Sequence, residues 1–268
     1  MSIHRDGFSK PAGGLAIGHT ESVLASLDVR TRSRAVSRRR RNDPAQYDDL
    51  AGEWWKPRGA FAALHWLAEA RGALVPPAER PGAVLVDLGC GAGLLAPHVA
   101  GKGYRHIGVD LGAAGLVDAA RHGVAAVRGD VLHVPLADEC ADVVTAGEIL
   151  EHVPDLSQAV AKACRLLRPG GLLVIDTIAP TVAARVLMVT VGERVPGGPP
   201  PGCHDPDLFV DPDRLARECA AHGVNLRLRG ITPHGLDVVR WLAGRTDHVR
   251  MRPTRNTSVL YQAVGRRR

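Results

Sequence analysis

The ten residues 84–93, VLVDLGCGAG, constrain the chain more than any other stretch. An aliphatic run broken by a single acid reads as a strand buried on both faces, the setting of a parallel sheet covered by helices. The three glycines within the last five positions predict a tight turn whose backbone comes close to a ligand. The chain continues with a regular alternation of strand and helix signals. Strands are predicted at 83–88, 105–109, 124–128, 141–146 and 171–177, most of them separated by helical stretches. The helix at 156–167, LSQAVAKACRLL, ends in RPGG, where Pro and Gly stop a helix.

This order predicts an α/β chain: a Rossmann-like, seven-stranded, mostly parallel sheet with helices on both faces. Upstream, Phe61, Leu64, His65, Leu67 and Ala68 recur at helical spacing. They predict a helix over 58–74 behind a shorter one over 44–53, together an N-terminal helical cap. Downstream, 180–193 is apolar and poor in acids, and 195–206 (VPGGPPPGCHDP) is a Pro/Gly loop. A helix over 212–222 is capped by Asp211 with Pro212 in its first turn, and strands at 225–231 and 257–264 complete the sheet. If helical, 180–193 presents Val182, Val186, Leu187 and Val189. They read as a lid over an apolar substrate, as a weak contact with a membrane surface, or as a helix buried against the sheet.

The formal net charge of +6 raises nucleic acid as a partner, and its distribution argues against one. Residues 1–42 hold nine of the 34 Lys and Arg and three of the 28 Asp and Glu, which accounts for the whole excess. The remainder is neutral, so 1–42, with its RTRSRAVSRRRR run, reads as a disordered basic arm. No apolar segment reaches the ~18 residues of a membrane span. Five cysteines, odd in number and without a CxxC pair, predict reduced thiols in a cytoplasmic protein.

The glycine loop fits a dinucleotide fingerprint, with Asp110 where a ribose-binding acid would stand. Asp87 argues otherwise, because a carboxylate before the glycines repels a pyrophosphate and attracts a cation. S-adenosylmethionine carries a sulfonium and an ammonium group and no phosphate. Asp87 also reads as a helix-capping carboxylate. Asp110 ends the second strand and can take two ribose hydroxyls, while Asp130 in RGDVLHVPL can accept an adenine amino group with Val131 against the ring.

This order of features resembles the class I S-adenosylmethionine-dependent methyltransferases over residues 83–177. Further pieces, YDDLAGEWW, GAFAALHWLAEAR, DLGCGAGLLA, DVVTAGEILEHVPD, LLRPGG and CHDPDLFVDPDRL, resemble the UbiG-type 3-demethylubiquinol O-methyltransferases of quinone biosynthesis. The resemblance implies a helical cap at 43–80, a cofactor-binding core at 81–178, a substrate-covering insertion at 179–210 and C-terminal strands with a helix at 211–268. It implies cofactor contacts at Arg71, Asp87, Gly89, Gly91, Gly93, Asp110, Leu111, Asp130, Val131 and Gly147, with Arg71 on the methionine carboxylate. Gly147 stands where the family usually carries a bulkier residue. Trp54 and Trp55 either close the cap over the site or pack as core.

Glu148, Glu151 and His152 are the candidates for acceptor activation. At i, i+3 and i+4 of a helical turn they share a face and can converge on a divalent ion. The resemblance implies Mg2+, although imidazole is an unusual ligand for an ion that prefers oxygen. Two other readings stay open: His152 as a general base without metal, and structural hydrogen bonding by Glu151 and His152. The predicted function is methyl transfer from S-adenosylmethionine to a hydroxyl oxygen of a small, aromatic or quinone-precursor acceptor. A methyltransferase acting at nitrogen or carbon, or a non-catalytic RNA-binding protein of the same fold, is the alternative. A membrane-peripheral location is compatible with either enzyme reading.

Overall fold

A computed structural model describes residues 39–195 and 197–268. The arm as far as residue 38 therefore lies outside the described residues. Residues 39–42, assigned to the arm from sequence, are bonded to the domain. Arg39 pairs with Asp49 (2.7 Å), Arg41 Nε donates to the His204 carbonyl (2.7 Å), and Asn42 N donates to the Gly202 carbonyl (2.9 Å).

Among the described residues eight strands form one sheet: β1 Val84–Leu88, β2 Arg105–Asp110, β3 Ala125–Arg128, β4 Ala141–Gly147, β5 Leu167–Ile178, β6 Val224–Pro233, β7 Met251–Thr254 and β8 Leu260–Arg267. Their order is β3-β2-β1-β4-β5-β8-β6-β7. The pairs from β3 to β5 are parallel, and β8, β6 and β7 join antiparallel. The sequence led us to expect seven strands. The eighth, β7, reads MRPT: it is four residues long and contains Pro253, which a strand tolerates at a sheet edge.

The period of two along each strand decides which residues reach the site. Leu85, Val143, Leu172 and Val174 pack on one face with Val75, Leu95 and Val99. Val86, Leu88, Val144, Ala146, Leu173 and Ile175 pack on the other, in the larger core. The first set puts Asp87, Thr145 and Asp176, each two positions on, and Gly147, four on, toward the same face at the carboxyl ends of β1, β4 and β5. That is where open α/β sheets bind ligands.

The cap is α1 Ala45–Asp49, followed by a 3₁₀ turn Ala51–Glu53, and α2 Ala62–Gly72. Then come α3 Ala96–Val99, α4 Ala113–Arg121, α5 Leu156–Leu166, α6 Pro212–Ala221 and α7 Gly235–Leu242. Helix α5 buries Leu156, Ala159, Val160 and Ala163 on one stripe, and the Asp155 carboxylate caps it by accepting from Gln158 N (2.9 Å). Helix α7 had no counterpart among the sequence expectations. It brings Trp241 edge-on to Trp66 of α2, ring centroids 5.4 Å apart.

After β5 the chain winds through Val182–Ala184 and a wider π-helical stretch, Arg185–Val191. Ala184 is buried, but Val182, Val186, Leu187 and Val191 are exposed. The segment thus turns much of its apolar surface away from the sheet.

Candidate functional site

Strand β1 delivers the glycine loop. Gly91 has φ +51°, and a Cβ there would lie 2.7 Å from the Trp54 ring, so the loop and the cap meet at a point that excludes a side chain. Gly91 N donates to Asp110 Oδ2 (2.8 Å) and Gly112 N to Oδ1 (2.7 Å). Asp110 therefore ties the loop to the start of α4. Burial raises its pKa although both backbone donors oppose the shift. Beyond β3, Asp130 Oδ1 accepts from Leu132 N (2.8 Å), and Val131 is buried beside it.

Nine of the ten cofactor residues expected from sequence line one cavity of about 1160 Å³; Gly93 does not. Gly93 instead packs against Ala119 of α4, where an added Cβ would come within 3.0 Å. Asp87 caps no helix: its Oδ1 accepts from Thr145 Oγ1 (2.6 Å), and Oδ2 stands 3.8 Å from His106 Nε2.

Arg71 reaches across the same face from α2 and donates from Nη1 to Asp176 Oδ2 at 2.6 Å. Both side chains are buried. Burial acts against the Arg71 cation, and the carboxylates of Asp176 and Asp87 outweigh it, so its pKa is raised.

The segment after β4 departs from the helical turn expected there. Glu148 takes a left-handed backbone (φ +52°) with its N–H on the Asp176 carbonyl (2.9 Å), and a 3₁₀ turn, Leu150–His152, follows. Glu148 and Glu151 still lie close enough for each carboxyl to act on the other. Burial and the neighbouring carboxyl push Glu148 well above the usual range, while burial raises Glu151 to about 7, opposed by the Thr177 hydroxyl that donates to its Oε2 (2.7 Å).

Burial lowers the His152 pKa to about 4, so the ring is neutral. Asn42 fixes its tautomer: the amide Nδ2 donates to the His152 carbonyl (2.9 Å), which turns Oδ1 toward ring Nδ1 at 2.6 Å. Nδ1 must then carry the hydrogen, and Nε2 keeps a lone pair, 3.3 Å from the Tyr47 hydroxyl. His204 stacks on His152 with centroids 5.2 Å apart, and burial lowers its pKa to about 3.

Residues 86–175 match the methyltransferase domain family. The ubiquinone biosynthesis O-methyltransferase of Cupriavidus pinatubonensis is 35% identical over 76% of this chain and 87% of its own length. That of Thiobacillus denitrificans is 34% identical over 76% and 91%. The chain belongs to the ubiquinone biosynthesis O-methyltransferase family. It is an S-adenosylmethionine-dependent O-methyltransferase that acts on a small molecule. Solved structures agree at the level of fold: S-adenosylmethionine-dependent methyltransferases from Thermotoga maritima (TM-score 0.58, 18% identity, 81% of this chain and 94% of that one) and Mesorhizobium loti (0.52, 21%, 75% and 98%) superpose on it.

For the methyltransferase the metal question takes a form the sequence did not anticipate. Among the described residues, two groups have converging ligand atoms within 4.8 Å: Glu151, His152 and His204, and Glu193, Cys203 and His204. Glu151 and His152 meet as expected, but His204 joins them where Glu148 was expected. His204 stands in the CHDPDLF motif, which carried the family resemblance without suggesting a role. Asn42, Tyr47 and Asp176 were likewise not foreseen. In the methyltransferase's cap, Trp54 is buried against Phe61 (4.0 Å between centroids) and also lines the cavity, so it is core and wall at once. Trp55 stacks on His122 (3.6 Å) and donates to the Ala92 carbonyl (3.2 Å), pinning the cap to the loop.

Proposed function

We propose that the methyltransferase acts on a hydroxyl of an aromatic quinone precursor that carries an apolar tail. The carrying observation is the reach of the single cavity. It runs from Asp110 and Asp130, past Glu148 and His152, to an apolar gallery walled by Trp66, Leu187, Met188, Val238, Trp241 and Leu242. Its volume of about 1160 Å³ exceeds the roughly 300–1,000 Å³ that houses most single ligands. The relatives, O-methyltransferases of ubiquinone biosynthesis, support the same acceptor class.

Bound S-adenosylmethionine supplies an electrophilic methyl carbon on a sulfonium. Around it Arg71 meets the carboxylate, Asp87 the ammonium group, Asp110 the ribose hydroxyls, and Asp130 with Val131 the adenine; Gly89 and Gly91 let the backbone approach, and Gly147 makes room for Arg71. The neutral His152, its Nδ1–H held by Asn42, lines the cavity and keeps, beside the Tyr47 hydroxyl, an Nε2 lone pair that can take the acceptor's hydroxyl proton. Most of the rate then comes from alignment of the acceptor oxygen with the methyl carbon.

The same group fits a divalent cation. Glu151 Oε1 is buried without a hydrogen-bond partner, and two imidazoles stand beside it. A carboxylate with two imidazoles suits a borderline ion such as Mn2+ or Zn2+ better than Mg2+. Held there, such an ion would take the His152 Nε2 lone pair and itself lower the pKa of the acceptor hydroxyl, in place of the metal-free base.

Two further assignments accompany this reading. The exposed Val182, Val186, Leu187 and Val191, with Leu236, Val239 and Leu242 of α7, support a weak contact with a membrane surface. Among the described residues no helix is long and apolar enough to cross a membrane. All five cysteines are unpaired, which supports a reducing, cytoplasmic setting.

The test compares a prenylated catechol with the same catechol lacking its tail, before and after chelation. The tailed compound is expected to have the lower KM, and activity lost to chelator is expected to return with Mn2+ or Zn2+ more than with Mg2+. Equal KM values would remove the tail from the proposal, and chelator-resistant activity would leave His152 as base without metal.

A further inference from the structure

A buried ion pair is a costly way to fill a core, since apolar residues of the same volume often serve stability as well or better. The pair between Arg71 and Asp176 is of this kind, with side chains 9% and 1% exposed. It is also built with unusual care. Gly147 and Asp176 are register partners on the neighbouring strands β4 and β5, so they share a face. A Cβ on Gly147 would lie 1.4 Å from Arg71 Nη1 and 1.9 Å from Cζ. The guanidinium therefore fills the hollow left by the missing side chain, beside its partner Asp176.

The pair leaves the guanidinium partly unused. Asp176 takes Nη1, whereas Nε is buried without a partner. Arg71 lines the cavity; Asp176 does not. The carboxylate thus stands behind the cation, on the side away from the ligand. Two other carboxylates, Asp87 and Glu148, also act on Arg71. Without Asp176 the guanidinium could swing to either, and Asp87 is the group we assign to the cofactor's ammonium.

We propose that Asp176 is a positioning residue, which with the Gly147 hollow holds Arg71 as a preformed receptor for the carboxylate of the cofactor's methionine moiety. This rests on the reading of Arg71 given under Proposed function. Arg71 then sits between two carboxylates, one from the protein fixing its plane and one from the ligand meeting its remaining edge. Asp176 acts only on ligands that carry the amino-acid moiety. A merely structural role would not make that distinction.

The experiment measures calorimetric affinity for two ligands, S-adenosylhomocysteine and 5′-methylthioadenosine, which share the nucleoside but differ in the amino-acid moiety. In Asp176→Asn the first is expected to weaken by at least roughly tenfold, the fold-change that loss of one hydrogen bond to a charged group produces, with the second within about twofold. Gly147→Ala should reproduce the selectivity by displacing Arg71, and it keeps the test decisive if Asp176→Asn does not fold. Parallel weakening of both ligands, or unchanged affinity for S-adenosylhomocysteine, would overturn the proposal. Wild type that binds neither nucleoside would overturn the cofactor reading beneath it. Wild type that binds both equally would overturn the role of Arg71.

Discussion

Asn42 touches His152 twice, through the backbone carbonyl and through ring Nδ1. Groups that orient a catalytic or ligating imidazole in this way typically account for 10- to 100-fold in activity or metal affinity. Asn42→Ala should therefore lower kcat by about 10- to 100-fold with little change in S-adenosylhomocysteine affinity. Steady-state kinetics and calorimetry on one preparation check this; unchanged kcat would deprive Asn42 of the role. His204 permits a prediction of a different kind. Its folded pKa of about 3 lies below the ordinary value of 6.5, so the unfolded chain binds the extra proton between those limits. Stability contributed by the neutral ring is complete above pH 6.5 and is lost as pH falls toward 3. Urea unfolding with chelator present should show wild type losing stability from pH 7.5 to pH 5 relative to His204→Asn, by about 2 kcal/mol. Parallel curves would contradict the buried neutral imidazole.

At the scale of elements, α5 anchors the larger core against β4 and β5, and Asp155 holds its first turn. Asp155→Ala should cost about 1 kcal/mol, lowering Tm by about 2–4 °C in a thermal melt, without changing KM. Strands β1 to β5 were legible in sequence because each is a compact aliphatic run between turn residues. Strand β7 was not, because four residues with a proline carry no period. The spacing of Glu148, Glu151 and His152 suggested a helix face, yet Glu148 takes a left-handed backbone and the turn is 3₁₀. The glycine loop, Asp110 and Asp130 were readable because local order defines them. Asp176 was hidden inside the apolar run LLVIDTI, with its partner 105 residues earlier in the chain. Asn42 was hidden differently, at the end of a basic stretch whose composition suggested no contact at all. Pairings between distant segments leave no periodicity in either one.

At the scale of the whole molecule, Asp110, Asp130, Glu148, His152, Trp66 and Trp241, to which we assign cofactor, acceptor and tail, line one continuous cavity. Leu187 and Leu242 line that cavity and are also about half exposed, 50% and 57%, so the gallery opens between two apolar rims. A tailed acceptor could then enter from a lipid surface. Replacing Val182 and Val186 with Glu should reduce co-sedimentation with anionic vesicles by several-fold while leaving kcat on a short, soluble catechol unchanged. Equal sedimentation of wild type and variant would detach the exposed segment from any membrane role. The central claim, methyl transfer to an acceptor oxygen, is tested most directly by turnover with S-adenosylmethionine carrying a 13C methyl group and a prenylated catechol, with the product's carbon spectrum recorded. The account predicts one new signal in the methoxy region, absent in Asp110→Ala. A signal at an N-methyl or C-methyl position, or no labelled product from any catechol, would contradict it.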